Sequence, residues 1–160
     1  MLVEATAFGC GAGVVEANAG FWRKPSLMQL VRILVVDDFQ PWRAVVRRIL
    51  AERSCLQIVG EACNGPEAIQ KAGTLHPDLI LLDIAMPGLN GISVARKIRE
   101  VAAHSRIVFL TQECSREIAQ EGLNAGAQGY VLKTRAESEL LAAIDTVLDG
   151  KQFLGEGLEI

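Results

Sequence analysis

The chain has 160 residues, half of them hydrophobic and 22% charged, which suits a single domain with its own core. A net charge of -3 argues against a general polyanion-binding surface, and no apolar run reaches the roughly 18 residues of a membrane span. The cysteines (Cys10, Cys55, Cys63, Cys114) form no CxxC pair and cluster with neither His76 nor His104, so reduced thiols in a cytoplasmic protein are expected.

Residues 1–29 read as an N-terminal extension. They are rich in Ala and Gly and show no sustained period. Met28 is the expected natural start, and Phe21-Trp22-Arg23-Lys24-Pro25 is a sticky patch at most. Ala17-Asn18-Ala19 imitates a signal-cleavage site, but no basic region precedes it and Glu4 and Glu16 interrupt the apolar stretch, so export is not expected.

From residue 31 the element types alternate. Val31 to Val36 reads as a strand ending on Asp37-Asp38. Trp42, Val45, Val46, Ile49 and Leu50 then mark one face of a helix over 40–53, with Pro41 in its first turn and Arg43, Arg47 and Arg48 on the wet side. A second strand spans 56–62. Asn64, Pro66 and Glu67 start a helix that runs to about Leu75, where His76-Pro77 stops it.

Leu79-Ile80-Leu81-Leu82 is the apolar run of a strand buried on both faces. It ends on Asp83, and Pro87-Gly88 opens a loop. A third helix over 91–103 buries Ile92, Ala95 and Ile98. A fourth strand, 106–110, ends on Thr111, and a fourth helix with a thin apolar face covers 115–124. A fifth strand, 128–132, contains Tyr130 and ends on Lys133. Thr134-Arg135-Ala136-Glu137 has the form of a capping box for a fifth helix, which carries the stripe Leu140, Leu141, Ile144, Val147 and Leu148. No element is expected in 151–160. Five strands alternating with five helices imply an α/β fold with a doubly wound, five-stranded parallel sheet over 30–150.

In such a sheet Asp37, Asp38, Asp83, Thr111 and Lys133 share the edge formed by the strand C-termini. Carboxylates placed together repel unless a cation joins them. An all-oxygen set suits Mg²⁺. With a lysine and a hydroxyl beside it, Asp83 is equipped to be the nucleophile toward a phosphoryl group.

The motifs Ile33-Leu34-Val35-Val36-Asp37-Asp38, Asp83-Ile84-Ala85-Met86-Pro87-Gly88-Leu89-Asn90-Gly91, Leu110-Thr111 and Gly129-Tyr130-Val131-Leu132-Lys133 occur in this order. Together they resemble the receiver domain of two-component response regulators, a flavodoxin-like, CheY-like fold. Tyr130-Val131-Leu132-Lys133-Thr134 is similar to receivers that precede a LuxR-type helix-turn-helix. The resemblance implies that Asp83 accepts phosphate from a histidine kinase or phosphotransfer protein. It implies that Asp38 binds Mg²⁺ directly, that Asp37 assists, and that the Ala85 carbonyl is a further ligand. It also implies that Lys133 pairs with the phosphoryl oxygens, Thr111 moves to the phosphate and Tyr130 follows inward. Pro87 and Gly88 shape the loop. The fourth helix, fifth strand and fifth helix would be the switched surface, facing an unknown downstream protein or a second copy.

Gln112 is larger than the small residue usual after the switch threonine, and Ala85 brings no polar side chain. Together they predict a phosphoryl group poorly presented to water. Only about ten residues follow the fifth helix, too few for a helix-turn-helix, so direct DNA binding by this chain is not expected. A truncated transcriptional regulator and a phosphate-independent binding module remain alternatives. A haloacid-dehalogenase-type hydrolase would want D-x-D after the first strand, and a dinucleotide-binding domain a Gly-rich loop there.

Overall fold

The computed structural model describes residues 29–158. The expectations for the N-terminal extension, Met28 and the patch at 21–25 fall outside the described residues. The strands are β1 (Val31–Val36), β2 (Leu56–Ala62), β3 (Leu79–Leu82), β4 (Arg106–Thr111), β5 (Gly129–Leu132) and β6 (Phe153–Leu154). The helices are α1 (Gln40–Leu50), α2 (Gly65–Leu75), α3 (Gly91–Val101), α4 (Arg116–Asn124) and α5 (Ala136–Leu148). All strand pairs are parallel, in the order β2-β1-β3-β4-β5-β6.

Strand alternation divides the core into two layers. Leu34, Val36, Ile80, Leu82, Ile107, Phe109 and Tyr130 face α2, α3 and α4 through Ala72, Ile98 and Ala119. Ile33, Val35, Leu79, Leu81, Val108, Leu110 and Val131 face α1 and α5 through Ile49, Leu140 and Ile144. The strands are apolar on both faces because helices cover both. The chain order reverses between β1 and β3, so the crevice at their C-terminal ends is the topological switch point where such sheets bind ligands.

Three expectations are corrected. The sheet has six strands, because Phe153 N–H donates to the Gln128 carbonyl and Gly155 N–H to the Tyr130 carbonyl, both at 2.9 Å. Leu158 then tucks into the core beyond β6. The capping box at Thr134 does not form: Lys133–Arg135 is a 3-10 turn, and α5 starts at Ala136 with no side-chain cap. Arg43 is not on the wet side of α1; its side chain is only 13% exposed.

The start of α2 is as read. Asn64 Oδ1 accepts from Glu67 N–H at 2.9 Å. The hydrogen bond from Lys71, with those from the Cys63 N–H and thiol, pulls the Glu67 carboxyl from its ordinary 4.5 to about 2. A depressed folded-state pKa stabilises the fold above the ordinary value, and that contribution is lost as pH falls toward 2. Glu67→Gln is therefore expected to flatten the pH dependence of urea stability between pH 4.5 and 2. An unchanged slope would remove Glu67 from the acid response.

Candidate functional site

Each functional side chain is carried to the crevice by the end of a strand. Asp37 follows β1 directly, with its N–H still on the ladder to the Ala62 carbonyl at 3.0 Å. Its Oδ1 accepts from Phe39 N–H at 2.8 Å, which turns the chain into α1. Asp83 follows β3, its N–H on the Val36 carbonyl at 3.0 Å. Asp37 and Asp83 are buried and Asp38 is exposed; the three carboxylates can place ligand oxygens within 4.8 Å of one another.

Lys133 enters from β5. The 3-10 turn at 133–135 directs its side chain inward, where Nζ lies 2.5 Å from Asp37 Oδ2 and 3.1 Å from Asp83 Oδ2. Nζ also sits 5.3 Å from the centre of the Trp42 ring, a cation–π contact from α1. Burial pushes the Asp37 carboxyl above its usual range; Lys133 and the Phe39 N–H pull the other way and do not overcome it. One ammonium against three carboxylates leaves an excess of negative charge. That imbalance and the all-oxygen donor set fit a divalent cation of the Mg²⁺ type.

The loop after β3 is tightly held. Ala85 N–H donates to Asp83 Oδ1 at 3.2 Å and Gly91 N–H to the Ile84 carbonyl at 2.9 Å. Gly88 has φ +82°, a left-handed conformation that glycine adopts without strain. Asn90 caps α3 through Ser93 N–H at 2.9 Å.

Thr111 is buried at the end of β4, and its Oγ1 accepts from Glu113 N–H at 3.2 Å. It joins the same sheet edge, and its hydroxyl is engaged with its own loop. Tyr130 is fully buried, and its hydroxyl donates to the Glu113 carbonyl at 2.7 Å. Its ring is tilted against Phe109, 6.1 Å centre to centre, and burial raises its phenol pKa. The inward position expected to follow phosphorylation is therefore already adopted. The hydroxyl ties β5 to the β4–α4 loop rather than to the crevice at Asp83.

Two partners at the site were not legible in the sequence. The Glu113 carbonyl is a backbone acceptor and has no side-chain signature. Trp42 read only as a core-facing helix residue. No helix among the described residues is long and apolar enough to cross a membrane.

The response regulator receiver domain family matches residues 33–145. The chain is 38% identical over 126 residues to the nitrate/nitrite response regulator protein NarL of Escherichia coli K12, covering 79% of this chain and 58% of that protein. It is 33% identical over 129 residues to the response regulator UvrY of the same organism, covering 81% of this chain and 59% of the relative. The chain thus spans just under three fifths of the length of these curated relatives. Among solved structures, a LuxR-family two-component response regulator from Aurantimonas sp. SI85-9A1 aligns with a TM-score of 0.74 at 33% identity, over 78% of this chain and 89% of that one. The receiver domain of the putative response regulator NarL from Mycobacterium tuberculosis aligns at 0.72 and 31%, over 77% and 99%.

Proposed function

The chain belongs to the response regulator receiver family, and from that premise we propose that it is a cytoplasmic phosphoacceptor switch that takes a phosphoryl group onto Asp83. The observation that carries this reading is the convergence of Asp37, Asp38, Asp83 and Lys133 at the switch point of the sheet. The donor is a histidine kinase or phosphotransfer protein. A carboxylate oxygen of Asp83 forms the new bond to phosphorus as the bond from phosphorus to the donor imidazole breaks, and the imidazole leaves with a proton.

Asp38, Asp37, Asp83 and the Ala85 carbonyl would hold Mg²⁺. When bound, the ion would offset the charge of the carboxylates and of the incoming phosphoryl oxygens. Lys133 supplies a second positive charge on a flexible stem and pairs with a phosphoryl oxygen in place of one Asp83 oxygen. Thr111 gives up Glu113 N–H to donate its hydroxyl to the phosphoryl group, which favours one of two arrangements of the β4–α4 loop. Tyr130, tied to that loop through Glu113, passes the change to the surface of α4, β5 and α5, where a downstream protein or a second copy docks. The protein turns over no substrate of its own.

The reading is tested by incubating the protein with labelled acetyl phosphate, with Mg²⁺ and with EDTA. The expected product is a hydroxylamine-labile acyl phosphate that forms only with Mg²⁺. A label stable to hydroxylamine would contradict it. No label at all, with Mg²⁺ bound, would favour the phosphate-independent module.

Gln112 and Ala85 are both exposed, and the family resemblance sets them beside the position the phosphoryl group would take. The group is expected to be long-lived, and Gln112→Ala to shorten its half-life several-fold. A rapidly decaying phosphoprotein, indifferent to that substitution, would contradict the steric account.

A further inference from the structure

Arg43 is a half-buried arginine that the proposed chemistry leaves unused. It lies one turn into α1. Its Nη1 donates to the backbone carbonyl of Asp37 at 2.6 Å, and its Nε to Glu61 Oε2 at 3.1 Å. Glu61 sits on β2 opposite Val35 and is gripped from both sides. Arg47 reaches its other oxygen, and Lys71 holds its backbone carbonyl. Burial pushes the Glu61 carboxyl up, but the two arginines outweigh it and hold it below the usual range, so the anchor is charged at neutral pH.

Only Phe39 separates Asp38 from α1, and Asp38 is the exposed member of the acidic cluster. Its direction is set by the peptide plane that joins it to Asp37. The N–H of Asp37 is fixed on β2 by the Ala62 carbonyl, and its C=O is fixed by Arg43. A planar guanidinium presents its donors to a carbonyl and a carboxylate in one fixed fork, whereas an ammonium is a point charge on a flexible stem that does not fix the angle between its two acceptors.

We infer that Arg43, held by Glu61, is a positioning residue for the cation site: it fixes the Asp37–Asp38 peptide so that the Asp38 carboxylate faces the metal. This deepens the proposed function and rests on it. The sign of the effect separates positioning from charge. Removing a nearby positive charge should by Coulomb attraction tighten Mg²⁺ binding. Losing an outer partner that orients a ligand weakens it, typically by tenfold or more.

The experiment is a Mg²⁺ titration of the full chain followed by Trp42 fluorescence, in a Trp22→Phe background. Arg43→Gln is expected to raise the dissociation constant about tenfold. Arg43→Lys keeps the charge and loses the fork, and should give a similar loss. Glu61→Gln should give a smaller one, and adding it to Arg43→Gln should add little, because the two act as one unit. Arg48→Gln removes an exposed charge from the same helix, one paired with Glu137, and should leave affinity unchanged or slightly higher.

Affinity in Arg43→Lys within twofold of wild type would overturn the inference, as would tighter binding in Arg43→Gln. If Arg43→Gln fails to fold, Arg43→Lys and Glu61→Gln carry the same test. A wild type with no saturable Mg²⁺ response would sink the receiver chemistry itself, a result distinct from variants that merely match a binding wild type.

Discussion

Lys133→Met is expected to destabilise the metal-free protein by about 3 kcal/mol at neutral pH, because removing one partner of a buried ion pair leaves its charge uncompensated. The side chains of Asp37, Asp83 and Lys133 are only 3%, 5% and 10% exposed, so water does little to replace the ammonium. Asp37→Asn should act in the opposite sense. Burial first, opposed by Lys133 and the Phe39 N–H, holds the Asp37 carboxyl above its ordinary 3.8. A raised folded-state pKa means that ionising this group costs stability as pH climbs through the window between the ordinary and the raised value. The amide removes that cost while Lys133 keeps Asp83. Urea denaturation in EDTA should therefore place the midpoint of Asp37→Asn above wild type and that of Lys133→Met well below it. The Lys133→Met deficit should shrink in acid, and in Mg²⁺ if the cation binds. Equal midpoints for wild type and Lys133→Met would mean that the cluster is hydrated rather than paired. The Asn variant should also bind Mg²⁺ poorly, as expected where a site is kept for chemistry at the expense of stability.

The second large effect is steric. A Cβ at Gly91 would lie 2.1 Å from the Asp83 carbonyl oxygen and 2.6 Å from Ile84 Cα. Both are backbone atoms that no rotamer change can move aside. Gly91→Ala gains at most about 1 kcal/mol of helix propensity, whereas forcing an overlap of this kind costs up to about 3 kcal/mol. The clash wins, and relieving it displaces the peptide that carries Asp83, the proposed acceptor. Lower urea stability and reduced phosphoryl uptake are expected together. Gly73→Ala is the control: in α2 the new Cβ would meet Val101 at 3.5 Å, an ordinary contact, so stability should hold or rise. Equal behaviour of the two variants would show that the loop after β3 yields easily.

The parts of this site that the sequence exposed are those written in side chains at strand ends. Leu79–Leu82 is apolar throughout because both faces are covered, and Asp83 stands out where that run stops. The parts it hid are written in the backbone or in long-range pairing. β6 is two residues long and is held by bonds to the Gln128 and Tyr130 carbonyls, which leave no period to read. Thr134 to Glu137 matched a capping box by spacing, but the 3-10 turn that brings Lys133 to Asp37 and Asp83 displaces the helix start to Ala136. Arg43 looked like part of a wet basic stripe because its partners, Glu61 and the Asp37 carbonyl, are reached only once β1, β2 and α1 have come together.

The most direct measurement is the intact mass of the protein after incubation with Mg²⁺ and acetyl phosphate, with Asp83→Asn treated in parallel. A gain of one phosphoryl group in wild type and none in the variant is the predicted result. A gain of the same size in both would contradict the assignment of Asp83 as the acceptor.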